Sequence, residues 1–183
     1  MKRIISRIRA FIKGEQDLNK LIRRGLVIGT DFTRMEGVII DSSHCWHITI
    51  GNHVTLAPRV HILAHDASTK VFIGYTRIAN TTIGNNVFVG AGTIILPGVT
   101  IGDNVVIGAG SIVSKDIPEG SVAAGNPARV LKPLADFLEE NKRKMGPDNV
   151  FGELYTLRND AFGEIERKAL LEACHRCGDI YVE

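Results

Sequence analysis

The chain keeps a beat of six. From Ile83 to Pro118 an aliphatic residue returns at every sixth position: Ile83, Val89, Ile95, Ile101, Ile107 and Val113. Four residues after each of the first five stands a small or β-branched residue: Val87, Thr93, Val99, Val105 and Ser111. A helix would repeat at about 3.6 and a flat strand at 2. Six is a multiple of two, so each hexad reads as one short strand and a corner. Three hexads bring the chain round a triangular coil, and successive coils stack at about 4.8 Å. The recurring aliphatics then fill the interior. Glycine and the Asn-Asn and Asp-Asn pairs suit corners where φ turns positive. An ordinary β-sandwich would space its strands about 8–12 residues apart, so the period itself names the architecture.

The beat is looser upstream. It opens at Ile28-Gly29, is broken from Arg34 to Gly37, and has a possible restart at Ile40-Asp41. It returns at Ile50-Gly51, Leu56-Ala57 and Ile62, with Val54 and Val60 in the second slot. Ile62 and Ile73 are eleven apart, so the segment L-A-H-D-A-S-T-K-V-F is expected to leave the coil as a short loop. Tyr75 to Thr82 is a second irregularity. Loops on a rigid scaffold are where chemistry collects. Asp116-Ile-Pro-Glu-Gly is expected to end the coil.

Three segments follow: 1–24, an N-terminal amphipathic helical segment; 25–133, the coil; and 134–183, a C-terminal helical extension. Ile4, Ile5, Ile8, Phe11 and Ile12 make one apolar helical face, crowded by Lys2, Arg3, Arg7, Arg9 and Lys13. Such a helix either caps the first coil or rests on an anionic membrane surface. Beyond Lys132-Pro133, helices are expected around Leu134, Phe137 and Leu138 and over Ala161 to Cys174, separated by Met145-Gly-Pro-Asp.

Charge divides along the same lines. The net charge of +2 comprises eight bases against two acids in residues 1–24, seven against seven in 25–133, and seven against eleven in 134–183. A neutral coil excludes a nucleic-acid groove there. No apolar run has transmembrane length. Three cysteines (Cys45, Cys174, Cys177) make no disulfide framework, and arginines interrupt any signal-peptide core. The expected location is the cytoplasm, at the inner face of the membrane if the N-terminal helix meets lipid. Cys174-His-Arg-Cys177 is half a zinc site at most, and Trp46 is expected to be buried packing.

Six tandem hexads followed by A-A-G-N-P-A-R-V at Ala123 to Val130 resemble the hexapeptide-repeat acyltransferases, in the branch of maltose, galactoside and polysaccharide O-acetyltransferases. The resemblance covers about Ile28 to Lys132. It implies a mainly β fold, a left-handed parallel β-helix; the general crossover rule would have favoured the right hand. It also implies homotrimers with active sites between subunits, and acetyl-CoA as co-substrate with no metal. By position in the motif, His65 of A-H-D is the general base, and Asp66 either orients its ring or turns the loop. Ala91 lends a backbone N–H to the oxyanion. Phe88, Gly90, Ala91, Gly108 and Ala109 line the coenzyme groove, and Ser114, Lys115 and Arg129 meet its phosphates. Asp41 and His44 are candidates for lining the acceptor pocket.

The chemistry fits these residue types. A sugar hydroxyl attacks a thioester only as its proton is taken, and imidazole titrates near neutrality. The expected reaction is O-acetylation of a sugar or polysaccharide precursor by direct attack. The alternatives are N-acetylation of an amino sugar on a nucleotide sugar and, in another class, a non-catalytic or metal-dependent β-helix.

Overall fold

The computed structural model describes residues 16–183. They form two compact units, one running to Ala135 and the other from Asp136 to Glu183. The expected helix face from Ile4 to Ile12 lies outside the described residues.

The first unit is a three-sided left-handed β-helix. Face 1 stacks the strands Val27–Ile28, Ile48–Ile50, Thr81–Ile83 and Thr100–Ile101. Face 2 stacks Thr33–Arg34, Thr55–Leu56, Val87–Val89, Val105–Ile107 and Ser121–Gly125. Face 3 stacks Ile39–Ile40, His61–Ile62, Ile94–Ile95 and Ile112–Val113. Every pairing among these is parallel. Neighbours in the two clean coils lie eighteen residues apart, as the pairs Ile83 with Ile101 and Ile95 with Val113 show.

The interior is what the hexads dictate. Ile83, Val89, Ile95, Ile101, Ile107 and Val113 are all buried, as are Val87, Thr93, Val99, Val105 and Ser111. Each fully buried aliphatic contributes about 1.5–3 kcal/mol. The two buried hydroxyls are satisfied locally, since Thr93 Oγ1 and Ser111 Oγ both donate to the Gly108 carbonyl, at 3.2 and 2.6 Å. At the edge between faces 1 and 2, side-chain oxygens climb the stack. Asn52 Oδ1 accepts from Thr30 N (2.8 Å), Asn85 Oδ1 from Asn52 N (2.9 Å) and Asp103 Oδ1 from Asn85 N (2.7 Å). Those bonds to Asn85, backbone first and side chain second, hold the Asp103 carboxyl below its ordinary range.

The structure corrects the reading upstream. Arg34 does not break the beat: it pairs with Leu56 and occupies the slot of an interior aliphatic, with Nη2 donating to the Gln16 carbonyl at 2.9 Å. The open first coil is closed by Gln16, whose Oε1 accepts from Ile40 N (2.7 Å) and whose Nε2 donates to Ile40 O (2.8 Å). That amide does what another strand would do at an exposed sheet edge. The helix Leu18–Arg23, N-capped by Asp17, then buries Leu21 in the core.

Ile73 is not a coil position. It ends the short helix Lys70–Ile73 and is 64% exposed. The two irregularities are one excursion, leaving after Ile62 and rejoining at Thr81. Thr81 is buried and donates to the Leu63 carbonyl (2.7 Å), tying the root together. Nor does the coil end at Pro118: Ile117 still bridges to Ile101, and Ser121–Gly125 extends face 2 before Ala128–Pro133 returns antiparallel to it.

The second unit contains most of the helix Leu134–Lys144, the helix Glu164–Cys177, and a parallel pair, Val150–Phe151 with Tyr181–Val182, that the sequence reading lacked. Buried Asn149 organises it, donating to Lys144 O (2.8 Å) and Asp179 O (3.2 Å). Among the described residues, no helix is long and apolar enough to cross a membrane.

Candidate active site

Two departures from the coil occur at the same edge. After Ile40 the chain detours through Asp41–His47 before face 1 resumes at Ile48, and after Ile62 it detours through Leu63–Asn80. Ile40 and Ile62 are stacked partners on face 3, so residues just beyond them must meet. Asp41 and His65, 24 positions apart, therefore form a pair in which His65 Nδ1 donates to Asp41 Oδ2.

The Asp41 side chain is 1% exposed and that of His65 32%. Asp41 Oδ2 also accepts from Ala64 N (3.1 Å), and Oδ1 accepts from Ser43 N (2.9 Å) and His44 N (3.1 Å). Burial alone would raise the carboxyl's pKa. The bond from His65, the N–H groups of Ala64 and His44, and the charge of His65 more than offset burial, so the net shift is downward. An ionised Asp41 fixes the proton on Nδ1 and leaves the lone pair on Nε2, the nitrogen available to a substrate hydroxyl.

Asp66 is not the ring's partner. Its Oδ1 accepts from Ser68 N (2.8 Å), a turn-forming bond, and its carboxyl is held below the ordinary range chiefly by that N–H and the Ser68 hydroxyl. The Asp66 backbone pairs with Arg77 in the short antiparallel ladder that carries His65. The sequence reading had Asp41 as a pocket residue and missed it as the orienting carboxylate. The available signal was register: Ile40 and Ile62 hold equivalent slots, so their successors share an edge.

His44 lies beside His65, with ring centroids 4.8 Å apart. Asp41, His44 and His65 offer donor atoms within 4.8 Å of one another, and His44 Nδ1 is buried without a hydrogen-bond partner. These are donor types that suit a transition metal, but both Asp41 oxygens already accept N–H bonds. Trp46 is not core packing: it is 49% exposed.

The other expected residues gather elsewhere. Gly90 and Gly108 stack at the edge between faces 2 and 3, with Ala91 and Ala109 exposed beside them and Phe88 outward on face 2. The coils approach so closely there that a Cβ on Gly90 would fall 2.4 Å from Ala109 N. Ser114 and Lys115 are exposed just beyond Val113 of face 3, on the edge that carries His65 lower down. Arg129 is exposed on the returning strand beside Ala124. The strip of small residues and the dyad thus sit on different edges, separated by one face, at most about 20 Å for six residues of strand.

Comparisons agree with this architecture. A family model described as bacterial transferase hexapeptide (six repeats) matches residues 80–115. Protein CapG of Staphylococcus aureus is 42% identical over 125 residues, covering 65% of this chain and 72% of CapG. Of two further curated relatives the chain spans 54% and 45%. The crystal structure of a maltose O-acetyltransferase from Clostridium difficile 630 superposes with a TM-score of 0.51 at 36% identity, covering 62% of this chain and 72% of that one. A galactoside acetyltransferase in complex with coenzyme A gives 0.53 at 30% identity, covering 75% and 83%. Repeat, prism and relatives together make this chain a member of the hexapeptide-repeat acetyltransferase family.

Proposed function

We propose that this protein transfers the acetyl group of acetyl-CoA to a hydroxyl of a sugar or polysaccharide precursor, with His65 as general base. The observation that carries the reading is the dyad: a partly exposed imidazole whose Nδ1 is committed to a buried carboxylate. The acceptor O–H gives its proton to His65 Nε2 as its oxygen bonds to the thioester carbonyl carbon. The carbonyl electrons move onto oxygen, where the Ala91 N–H stabilises the oxyanion. Collapse re-forms the carbonyl, breaks the C–S bond and expels the coenzyme A thiolate, which takes the proton from the imidazolium. No covalent acyl-enzyme is required.

The strip Phe88, Gly90, Ala91, Gly108 and Ala109 suits a pantetheine arm, because small residues let it approach the backbone. Ser114, Lys115 and Arg129 suit the phosphates. Acetyl-CoA as the donor is supported by the neighbour solved with coenzyme A, and a sugar acceptor by the maltose and galactoside enzymes. The separation of dyad and strip supports a site completed by a second copy, within a homotrimer. Thiol release from acetyl-CoA against a panel of sugars, amino sugars and nucleotide sugars tests the reading. His65→Ala is expected to lower turnover by roughly 10²–10⁴-fold with acetyl-CoA binding intact. Turnover within about tenfold of wild type would remove His65 as the base.

A further inference from the structure

We infer that Trp46 is the platform on which a pyranose ring of the acceptor lies. The inference rests on the proposed sugar acetylation and goes further, assigning the residue that selects a saccharide over other alcohols.

The argument begins with how Trp46 is held. It is the middle residue of the 3-10 turn Cys45–His47. On one side Cys45 is fully buried, its Sγ 3.6 Å from the Leu21 carbonyl. On the other, His47 Nδ1 is 2.7 Å from Asn80 Oδ1, which ties this detour to the end of the next one. Beneath, Trp46 is seated on Gly25, where a Cβ would lie 2.8 Å from Trp46 Cβ and 3.5 Å from its Cα. The main chain is thus anchored on three sides, while the indole remains half exposed.

The exposed ring is continuous with the base. Ring centroids run from His65 to His44 (4.8 Å), His44 to Trp46 (5.5 Å) and Trp46 to His47 (5.9 Å), each pair tilted. A large apolar side chain left in water, one ring removed from the proposed base, is a feature of binding sites rather than of cores. Its shape selects the occupant. An indole presents a flat face of negative potential. A pyranose presents a flat face of weakly positive C–H bonds, with hydroxyls projecting from its rim. Stacking therefore leaves those hydroxyls free to point along the row of rings toward His65. An acyclic alcohol has no such face.

Trp46 is the chain's sole tryptophan, so its emission reports on this position alone. Titration with maltose, methyl β-galactoside and a short β-linked glucan, with mannitol as the acyclic control, is expected to shift the emission and shield it from acrylamide for the pyranosides only. The same response is expected in His65→Ala. With the best acceptor, Trp46→Ala is expected to raise acceptor KM roughly fivefold to tenfold, as loss of one aromatic contact implies. Acetyl-CoA KM should hold within about twofold, and Trp46→Phe should retain most of the affinity. Acetylation of a sugar with flat emission, or with acceptor KM unchanged in Trp46→Ala, overturns the platform and leaves the acetyl transfer standing. A normal emission response with full turnover in His65→Ala overturns the base and leaves the platform standing. Neither turnover nor an emission change with any pyranoside removes the platform and the sugar acceptor together.

Discussion

Asp41 is the residue on which the proposed chemistry of His65 turns. Its carboxylate accepts four N–H bonds, three from backbone and one from the imidazole. Asp41→Asn keeps the shape but puts an amide where the ring N–H must be accepted, which permits the wrong tautomer. By analogy with carboxylate-to-amide changes in other His–Asp pairs, kcat should fall about 10²–10⁴-fold. Because Asp41 acts through His65, the double variant Asp41→Asn/His65→Ala should be no slower than His65→Ala alone; additive losses would mean independent roles. The carboxyl also links stability to pH. Its native pKa lies below the ordinary 3.8, so the unfolded chain binds the proton more readily. The stabilisation is therefore complete above that ordinary value and is lost as pH falls through the lowered native one. Thermal melts from pH 5 downward should show wild type losing stability more steeply than Asp41→Asn, and parallel curves would contradict the assignment. At this scale the sequence exposed His65, the proposed base, through A-H-D in a break of the repeat. It hid the partner, since only stacking makes Asp41 and His65 neighbours, and Asp66, adjacent in sequence, is claimed by a local turn.

Among the elements, the coil was legible where a side chain's burial repeats and illegible where it does not. Each sixth position from Ile83 to Val113 holds a buried aliphatic packed on its equivalents one coil away, so period and burial coincide. Arg34 defeats the pattern because, among the described residues, the first coil has no coil beneath it, and a charged group is tolerated in its slot beside Gln16. Ile73 defeats it in the opposite sense, being apolar yet exposed at the tip of an excursion. The distinction can be measured. Ile95, 0% exposed, is stacked between Ile62 and Val113. Ile95→Ala should cost about 2–5 kcal/mol in urea unfolding, combining lost transfer energy and a cavity. A cost below about 0.5 kcal/mol would mean that the prism does not close around that column.

The whole molecule poses the question of how its two sets of residues come together. The dyad belongs to the edge between faces 3 and 1, and the strip at Gly90, Ala91, Gly108 and Ala109 to the edge between faces 2 and 3. A rigid prism cannot fold one edge onto another, so under the proposed reaction a second copy is expected to present its strip to the first copy's dyad. In a closed ring of three, each contact between neighbours is heterologous and repeats around the axis. A mixing experiment tests this. One chain carries His65→Ala, without the proposed base; the other carries Ala91→Trp, with the proposed coenzyme strip blocked. Each alone should be inactive. Co-expressed in equal amounts and assembled at random, they should regain about a quarter of wild-type activity, because one neighbour pair in four joins an intact His65 to an intact strip. If the mixture remains as inactive as its parents, or if wild-type chain retains full turnover as a monomer by light scattering, the site lies within a single copy and the two-edge assembly is wrong.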